Sequence, residues 1–281
     1  MMTRFFTLLT TLVGLFAATT AFASDMKFDG LAHPLGFQTP MSSVAVSIAD
    51  TYDFIFWITV VIGLLVEGVL LYAIFRFRRT AKRGPEQAKK FSHNTAIEVI
   101  WTVIPVIICL AITWKSYEAL FYLKTMPEKG ITVEAVAYQF NWDFRYPELG
   151  IIGADADAPH VQLSSAGVER FVKDMVVPVG TNIKVDVTGI DVLHAFYVPA
   201  MGVKVDAIPG RVNNVWFNAT QEGDYIGQCA ELCGGAHGEM FFNLKVLSKA
   251  DWVEWVNARR ADEGLEPLPA SEIASIMGVT L

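Results

Sequence analysis

The amino-acid sequence predicts a membrane-anchored protein in which a hairpin of two transmembrane helices carries an all-β domain. Two apolar stretches, at about 54–76 and 97–118, are each long enough to cross the hydrocarbon core of a bilayer. After residue 130 the helical spacing gives way to short β-rich runs separated by turn residues. Because 53% of the residues are hydrophobic and only 18% are charged, an ordinary soluble protein is excluded.

The N-terminal segment, residues 1–23, has the pattern of a secretory signal peptide. Arg4 precedes an apolar run, and Ala21 and Ala23 place small residues where a signal peptidase cleaves. An uncleaved membrane anchor is the alternative, but the apolar run is short and the polar pair Ser24 and Asp25 follows at once. We therefore expect the chain to be exported.

Residues 24–129 are predicted to form an N-terminal segment and the two-span hairpin. Glu67 is the charged residue of the first span, and Pro105 should kink the second span without breaking it. The loop from 76 to 90 carries seven Lys and Arg residues against one Glu. By the positive-inside rule this loop is cytoplasmic, so both ends of the chain lie on the opposite side of the membrane. The predicted location is a bacterial inner membrane, with the N-terminus and the β domain in the periplasm.

Residues 130–248 are predicted to form the exported β domain, a sandwich or a barrel. Strand-like runs occur at 131–137, 182–188, 211–218 and 240–247, with Pro and Gly residues marking turns between them. Residues 249–281 are predicted to form a C-terminal helix and tail. Trp252, Val253 and Val256 share one side of that helix, and the tail from Ala261 is expected to be loosely ordered because it is rich in Glu and Pro.

The net charge excludes nucleic acid as a partner. The whole chain carries −7, and residues 131–281 contain 20 acidic against 10 basic side chains. Phosphate binding needs a basic surface, whereas an acidic exported domain favours a basic partner.

A loop near the end of the β domain combines the side chains that bind copper. It contains Cys229, Cys233, His237 and Met240, and His194 lies 35 positions before Cys229. Thiolates, imidazoles and a thioether together form a ligand set that favours copper. Two cysteines four residues apart can bridge a pair of copper ions, and the backbone carbonyl of Glu231 between them is placed to face a metal. The loop therefore predicts a dinuclear copper centre.

Other interpretations of the same loop remain open from the residues alone. Cys229 and Cys233 could form an exported disulfide, and Met240 could fill the core. Zinc is a weaker candidate than copper because a methionine sulfur is a poor zinc ligand.

Taken together, these features resemble subunit II of the haem-copper cytochrome c oxidases, which carries the centre known as CuA. The similarity covers the hairpin, the segment 191–211 and the Cys-x-Glu-x-Cys-x3-His-x2-Met loop. It implies a cupredoxin-like barrel in which Cys229 and Cys233 bridge two copper ions. By the same resemblance, His194 and Met240 complete the ligands of one ion, and His237 and the Glu231 carbonyl complete those of the other. It also implies that the Glu231 carboxylate binds magnesium or manganese at the interface with subunit I.

The resemblance points to two further site residues. Glu98 would stand at the mouth of a proton channel into subunit I, where a carboxylate at the membrane boundary can collect protons, although a solvated helix-end glutamate is the alternative. Asp191, three residues before His194, is a docking candidate for a basic cytochrome c.

The aromatic stretch from 138 to 142 departs from the family pattern. Phe140 stands where the family usually has the tryptophan through which electrons arrive. Either Phe140 is an apolar contact for the donor, or Trp142 or another route delivers the electron. The alternative is that both rings only pack the barrel.

The predicted function is the electron-accepting subunit of cytochrome c oxidase, an oxidoreductase and translocase. It would take electrons from cytochrome c at the copper centre and pass them to haem in the catalytic subunit I, which reduces oxygen to water and pumps protons. No catalytic residue is expected in this chain, and the partners are subunit I, other oxidase subunits, cytochrome c and the membrane. Two alternatives remain: a subunit of a CuA-containing nitric oxide reductase, and a copper chaperone or thiol-disulfide protein.

Overall fold

The computed structural model describes residues 38–78, 93–152, 160–163 and 169–278. The predicted signal peptide and most of the predicted cytoplasmic loop lie outside these residues. The described chain comprises a helical hairpin, a β domain and two C-terminal helices.

Two long helices form the hairpin, α1 (Ser43–Phe77) and α2 (Thr95–Lys124). Both are long and apolar enough to cross a membrane. The side chains of Ser42 and Asn94 cap their N-termini, each accepting a hydrogen bond from a backbone N–H of the first turn. Pro105 lies inside α2 without ending it. Both helices are longer than the predicted spans at the ends that adjoin the β domain.

The extended helix ends are joined directly to the β domain. Val44 and Ala45 in the first turn of α1 are buried, and Ser42 Oγ donates a hydrogen bond of 2.6 Å to the carbonyl of Met201. At the end of α2, the carbonyl of Leu123 accepts a hydrogen bond of 3.1 Å from Trp216 Nε1. Each helix therefore makes its own contact with the domain that it carries.

The β domain consists of two mixed sheets and a small hairpin. Its strands are β1 (Ile131–Tyr138), β2 (Asn141–Arg145), β3 (His160–Leu163), β4 (Glu169–Val172), β5 (Asp174–Pro178), β6 (Asn182–Gly189), β7 (His194–Val198), β8 (Val203–Ala207), β9 (Asn213–Asn218), β10 (Gly223–Cys229) and β11 (Phe241–Leu247). One sheet has the order β2-β1-β6-β9, the other has the order β5-β11-β10-β7-β8, and β3 pairs with β4. The β1–β6 and β5–β11 pairs are parallel, and the other pairs are antiparallel.

Alternating side chains explain why these segments form strands. Ile183, Val185 and Val187 of β6 are buried, whereas the residues between them face outwards. The inner faces of the two sheets meet around an aromatic cluster in which the rings of Phe196 and Phe242 stack at 5.0 Å. The structure thus confirms the predicted fold class, a two-helix transmembrane hairpin followed by an all-β cupredoxin-like domain.

The C-terminal region contains two helices, α3 (Lys249–Asp262) and α4 (Ala270–Met277). Trp252 and Val256 of α3 are buried, as their spacing predicts, and Trp252 also lies against the ring of Tyr146. This packing attaches α3 to the β domain.

The expectation of a loosely ordered tail from Ala261 is wrong for the described residues, because α4 packs onto the hydrophobic core. Ile273, Ala274 and Met277 are buried, and their spacing places them on one face of a helix. The side chain of Asn257 holds the segment between α3 and α4 in place. It donates a hydrogen bond to the carbonyl of Leu268 and accepts one from the backbone N–H of Leu268.

Candidate metal centre

Two adjacent strands of one sheet bring the predicted copper ligands together. His194 is the first residue of β7, and Cys229 is the last residue of β10, with which β7 pairs. The loop that holds the other ligands leaves β10 after Cys229 and enters β11 after Met240. A hydrogen bond of 2.9 Å from Cys229 N to the carbonyl of Met240 closes this loop at its base.

The donor atoms converge on one small volume. The sulfurs of Cys229 and Cys233 lie 3.9 Å apart. Cys229 Sγ lies 3.8 Å from His194 Nδ1 and 3.3 Å from the carbonyl oxygen of Glu231. Cys233 Sγ lies 3.7 Å from His237 Nδ1 and 3.8 Å from the sulfur of Met240. The arrangement joins residues from β7, from the end of β10 and from the loop.

The chemistry of this donor set fits copper. The ligand atoms of His194, Cys229 and Cys233 all lie within 4.8 Å of one another, so these residues could bind a copper ion. Both cysteines are free, and their sulfur separation is far longer than a disulfide bond of about 2.05 Å. Met240 does line the core, but its sulfur also faces that of Cys233. A pair of free thiols is therefore surrounded by nitrogen and thioether donors.

Burial affects the acidity of the thiols. In the metal-free protein, desolvation and the neighbouring Cys229 raise the pKa of Cys233 to about 11. A metal that binds this sulfur must therefore displace a proton.

Asp191 orients His194. A hydrogen bond of 2.8 Å joins His194 Nε2 to Asp191 Oδ1, and because a carboxylate only accepts, Nε2 carries the hydrogen and Nδ1 faces Cys229. Burial acts to raise the pKa of Asp191, but its hydrogen bonds with His194 and with the N–H groups of Gln139 and Val192 lower it overall. A carboxylate in this position fixes the tautomer and the ring plane of a metal-binding imidazole. Its side chain remains 33% exposed, so it also reaches the surface.

The turn between β1 and β2 lies against the loop that carries Cys233, His237 and Met240. Gln139 Nε2 donates a hydrogen bond of 2.6 Å to the carbonyl of Cys233, and Gln139 N donates one of 2.7 Å to Asp191 Oδ2. Sequence reasoning assigned no role to Gln139, although it directly precedes Phe140 in the aromatic stretch. The ring of Phe140 is half-buried beside Gly234.

The structure separates the two aromatic candidates. Trp142 is fully buried, and its ring centroid lies 6.5 Å from that of His194. Its position in β2 explains this, because residues 142 and 144 point into the core while 141 and 143 point out. Burial excludes Trp142 as a surface contact for a donor protein, whereas Phe140 lies in the turn at the surface.

Glu98 is remote from the donor cluster, in the first turn of α2. Its side chain is exposed, and Oε1 accepts a hydrogen bond of 3.2 Å from the backbone N–H of Asn94. The carboxylate thus helps to cap the N-terminus of α2.

Exposed apolar side chains surround the donor cluster. Leu232, between the two cysteines, is 77% exposed, and Ile190 and Leu193 beside His194 are exposed as well. Large exposed apolar side chains that cluster at a site are typical of a surface that binds another protein.

Comparison with known proteins gives the family. The model described as cytochrome c oxidase subunit II, periplasmic domain, matches residues 131–247, and the corresponding transmembrane-domain model matches residues 30–119. Cytochrome c oxidase subunit 2 of Cereibacter sphaeroides is 38% identical over 88% of each chain. Probable cytochrome c oxidase subunit 2 of Rickettsia bellii is 37% identical over 89% of this chain and 91% of its own.

A solved structure is also similar. The periplasmic domain of subunit II of cytochrome oxidase from Bradyrhizobium japonicum is 36% identical, with a TM-score of 0.41, over 49% of this chain and 99% of that one. The family matches extend over the hairpin and the β domain and include the loop with the donor cluster. The chain belongs to the cytochrome c oxidase subunit II family.

Proposed function

We propose that this chain is the subunit of cytochrome c oxidase that receives electrons from cytochrome c at a dinuclear copper centre and passes them to haem in subunit I. The observation that carries the proposal is the pair of free thiols 3.9 Å apart, with two imidazoles, a thioether and a carbonyl around them. Bound copper would supply one-electron redox chemistry at this position.

Each donor has a definite place in the proposed centre. Cys229 and Cys233 would hold the two ions through their sulfurs. His194 and Met240 would be further ligands of one ion, and His237 with the Glu231 carbonyl would be those of the other. His194 Nδ1 and the Glu231 carbonyl lie beside Cys229 Sγ, and His237 Nδ1 and the Met240 sulfur lie beside Cys233 Sγ, which supports the presence of all four donors in the centre.

The protein scaffold suits electron transfer because it holds the donors rigidly. His194 and Cys229 belong to paired strands, and backbone hydrogen bonds close the loop at its base. The ligand side chains of Cys229, Cys233 and Met240 are buried, which keeps bulk water from the bound ions. Small changes in geometry between oxidation states favour rapid transfer.

The surface around the centre supports docking of a basic cytochrome c. Phe140 provides an apolar contact in the exposed turn, and Asp191 contributes negative charge beside His194. The 20 acidic against 10 basic residues of segment 131–281 favour such a partner.

On the side that would face subunit I, the exposed carboxylate of Glu231 is proposed to bind magnesium or manganese.

The membrane part supports a bacterial inner-membrane protein with the β domain in the periplasm. The basic loop from 76 to 90 would then be cytoplasmic. Glu98, near that side of α2, is proposed as the mouth of a proton channel into subunit I, whose oxygen reduction drives proton pumping. Subunit I and further oxidase subunits would cover the exposed apolar faces of the hairpin.

The test uses the full chain, purified in detergent and reconstituted with copper. We expect two coppers per chain and a seven-line mixed-valence signal in electron paramagnetic resonance, because one unpaired electron is shared by two copper nuclei. Cys229→Ser and Cys233→Ser should abolish the signal, whereas Cys109→Ser should retain it because Cys109 lies in α2.

Three outcomes would overturn the proposal. A single copper per chain, or a redox-active disulfide without stable metal, would indicate a copper chaperone or thiol-disulfide protein. Reduction of nitric oxide instead of oxygen by the purified complex would assign the copper centre to a nitric oxide reductase.

A further inference from the structure

We propose that Gln139 is a positioning residue that holds both ligand-bearing segments of the copper centre against the turn between β1 and β2. The inference rests on the proposed copper function but concerns a residue outside the ligand set. It begins from the position of Gln139, directly after β1 and directly before Phe140.

Gln139 makes two hydrogen bonds to separate parts of the centre. Its side-chain Nε2 donates to the carbonyl of Cys233 at 2.6 Å, in the loop after β10. Its backbone N–H donates to Asp191 Oδ2 at 2.7 Å, and Asp191 Oδ1 is bonded to His194 Nε2 at 2.8 Å. One residue thereby connects the segment that carries His194 with the loop that carries the second cysteine.

The packing of the loop supports this role. A Cβ added at Gly234 would lie 3.1 Å from Gln139 Nε2 and 3.0 Å from the ring of Phe140. At Gly235 and Gly238 an added Cβ would meet nothing within 4 Å. The loop therefore contacts the turn closely on one side of Gly234, next to the carbonyl that Gln139 binds, and is open at the other two glycines.

The effect of the contact is on Cys233. Its carbonyl is held by Gln139, while its sulfur faces Cys229, His237 and Met240. Without the hydrogen bond, the Cys233 backbone can rotate, and the sulfur moves relative to the other donors. Gln139 thus sets the sulfur–sulfur geometry without touching a metal.

The test compares two substitutions of Gln139 with a matched control. Gln139→Glu keeps the length of the side chain but removes the side-chain N–H donor, and leaves the backbone N–H in place. Gln139→Asn keeps the amide but is one methylene too short to reach the carbonyl of Cys233. Gln221→Glu repeats the charge change at an exposed site at the far end of β10 from Cys229.

The first measurement is made on the metal-free, reduced full chain. We expect the alkylation rate of Cys233 by iodoacetamide to rise roughly fivefold in both Gln139 variants, as loss of one hydrogen bond allows, and to be unchanged in Gln221→Glu. Circular dichroism checks that each variant is folded. Wild-type alkylation rates in both folded Gln139 variants would overturn the inference.

The second measurement is made after copper loading. We expect altered copper hyperfine splitting and roughly fivefold faster loss of copper to a chelator in both Gln139 variants. Unchanged splitting and release would also contradict the inference. If the wild-type chain failed to form a copper pair, the proposed function would fall, but the alkylation rates would still decide whether Gln139 positions Cys233.

Discussion

Asp191 shows how one side chain can orient a candidate metal ligand, His194. Its Oδ1 fixes the tautomer of His194, while its two carboxylate oxygens also accept backbone N–H groups that hold the carboxylate itself. The sequence predicted Asp191 as a docking residue because of its charge and its distance of three residues from His194. Its bond to the imidazole depends on how the chain turns into β7, which the spacing alone does not reveal.

Removing this carboxylate should weaken copper binding. We expect Asp191→Ala to lower copper affinity about tenfold to a hundredfold, the usual effect of losing the partner of a metal-binding imidazole. Competition against a chelator measures the change. Asp224→Ala is the control, because Asp224 is exposed near the start of β10. Equal affinities in the two variants would show that His194 needs no orienting partner.

Copper loading should depend on pH through Cys233. The pKa of its thiol is raised to about 11 in the metal-free protein, so the proton is bound at neutral pH and leaves when copper binds. Affinity should therefore rise as pH rises, by about tenfold per pH unit from this thiol alone. Proton release on copper addition, followed with a pH indicator, measures the effect. Proton-free loading between about pH 6 and 8 would contradict it.

At the scale of elements, the sequence predicted β1, β6, β9 and β11, whereas the seven-residue β10 and the shorter strands were not predicted. Alternating apolar residues located β1, β6 and β11 to within one residue at each end. The five-residue strands β7 and β8 were missed, since so short an alternation is hard to distinguish from a turn-rich segment. The ligand loop was predicted from its residue types, but its contact with the β1–β2 turn arises from tertiary packing.

The α4 helix was missed for a different reason. Its eight residues follow a segment rich in Glu and Pro, which indicates disorder by composition. Its three buried residues form a short apolar face whose energetic value comes from the core that it covers. Composition alone cannot show that such a face has a partner.

The loop should tolerate a side chain at one of two adjacent glycines. Gly234 has φ of 137° and close neighbours on the Phe140 side, so Gly234→Ala should lower the free energy of unfolding by about 1–3 kcal/mol and reduce copper content. Gly235→Ala should do neither, because its added Cβ meets nothing within 4 Å. Thermal unfolding and metal analysis test both. Similar effects of the two substitutions would argue against the close contact.

For the whole molecule, basic and acidic side chains are concentrated in different segments of the sequence. The basic loop lies between the spans, whereas the acidic residues are concentrated after residue 130. This division supports both the proposed orientation and a basic donor, and it was readable from the sequence. The contacts between helices and β domain were not readable, since they join residues far apart along the chain, such as Ser42 and Met201.

Acceptance of electrons from cytochrome c should depend on salt. Attraction between opposite charges accelerates encounter and weakens as ions screen it, over a distance of about 10 Å at 0.1 M ionic strength. We expect the second-order rate in the assembled oxidase to fall as salt is raised. Stopped-flow mixing with reduced cytochrome c measures it. A rate that is independent of salt would exclude charge as the guide for docking.

The hydrogen bonds from Ser42 and Trp216 that attach the helices to the β domain have a consequence for assembly. A domain on a flexible tether would lose rotational freedom each time that a partner bound it. Here the two helices and their contacts hold the domain at a set height and direction before any partner arrives. Binding of a partner subunit to the domain would then lose less entropy, because the orientation of the domain is already set.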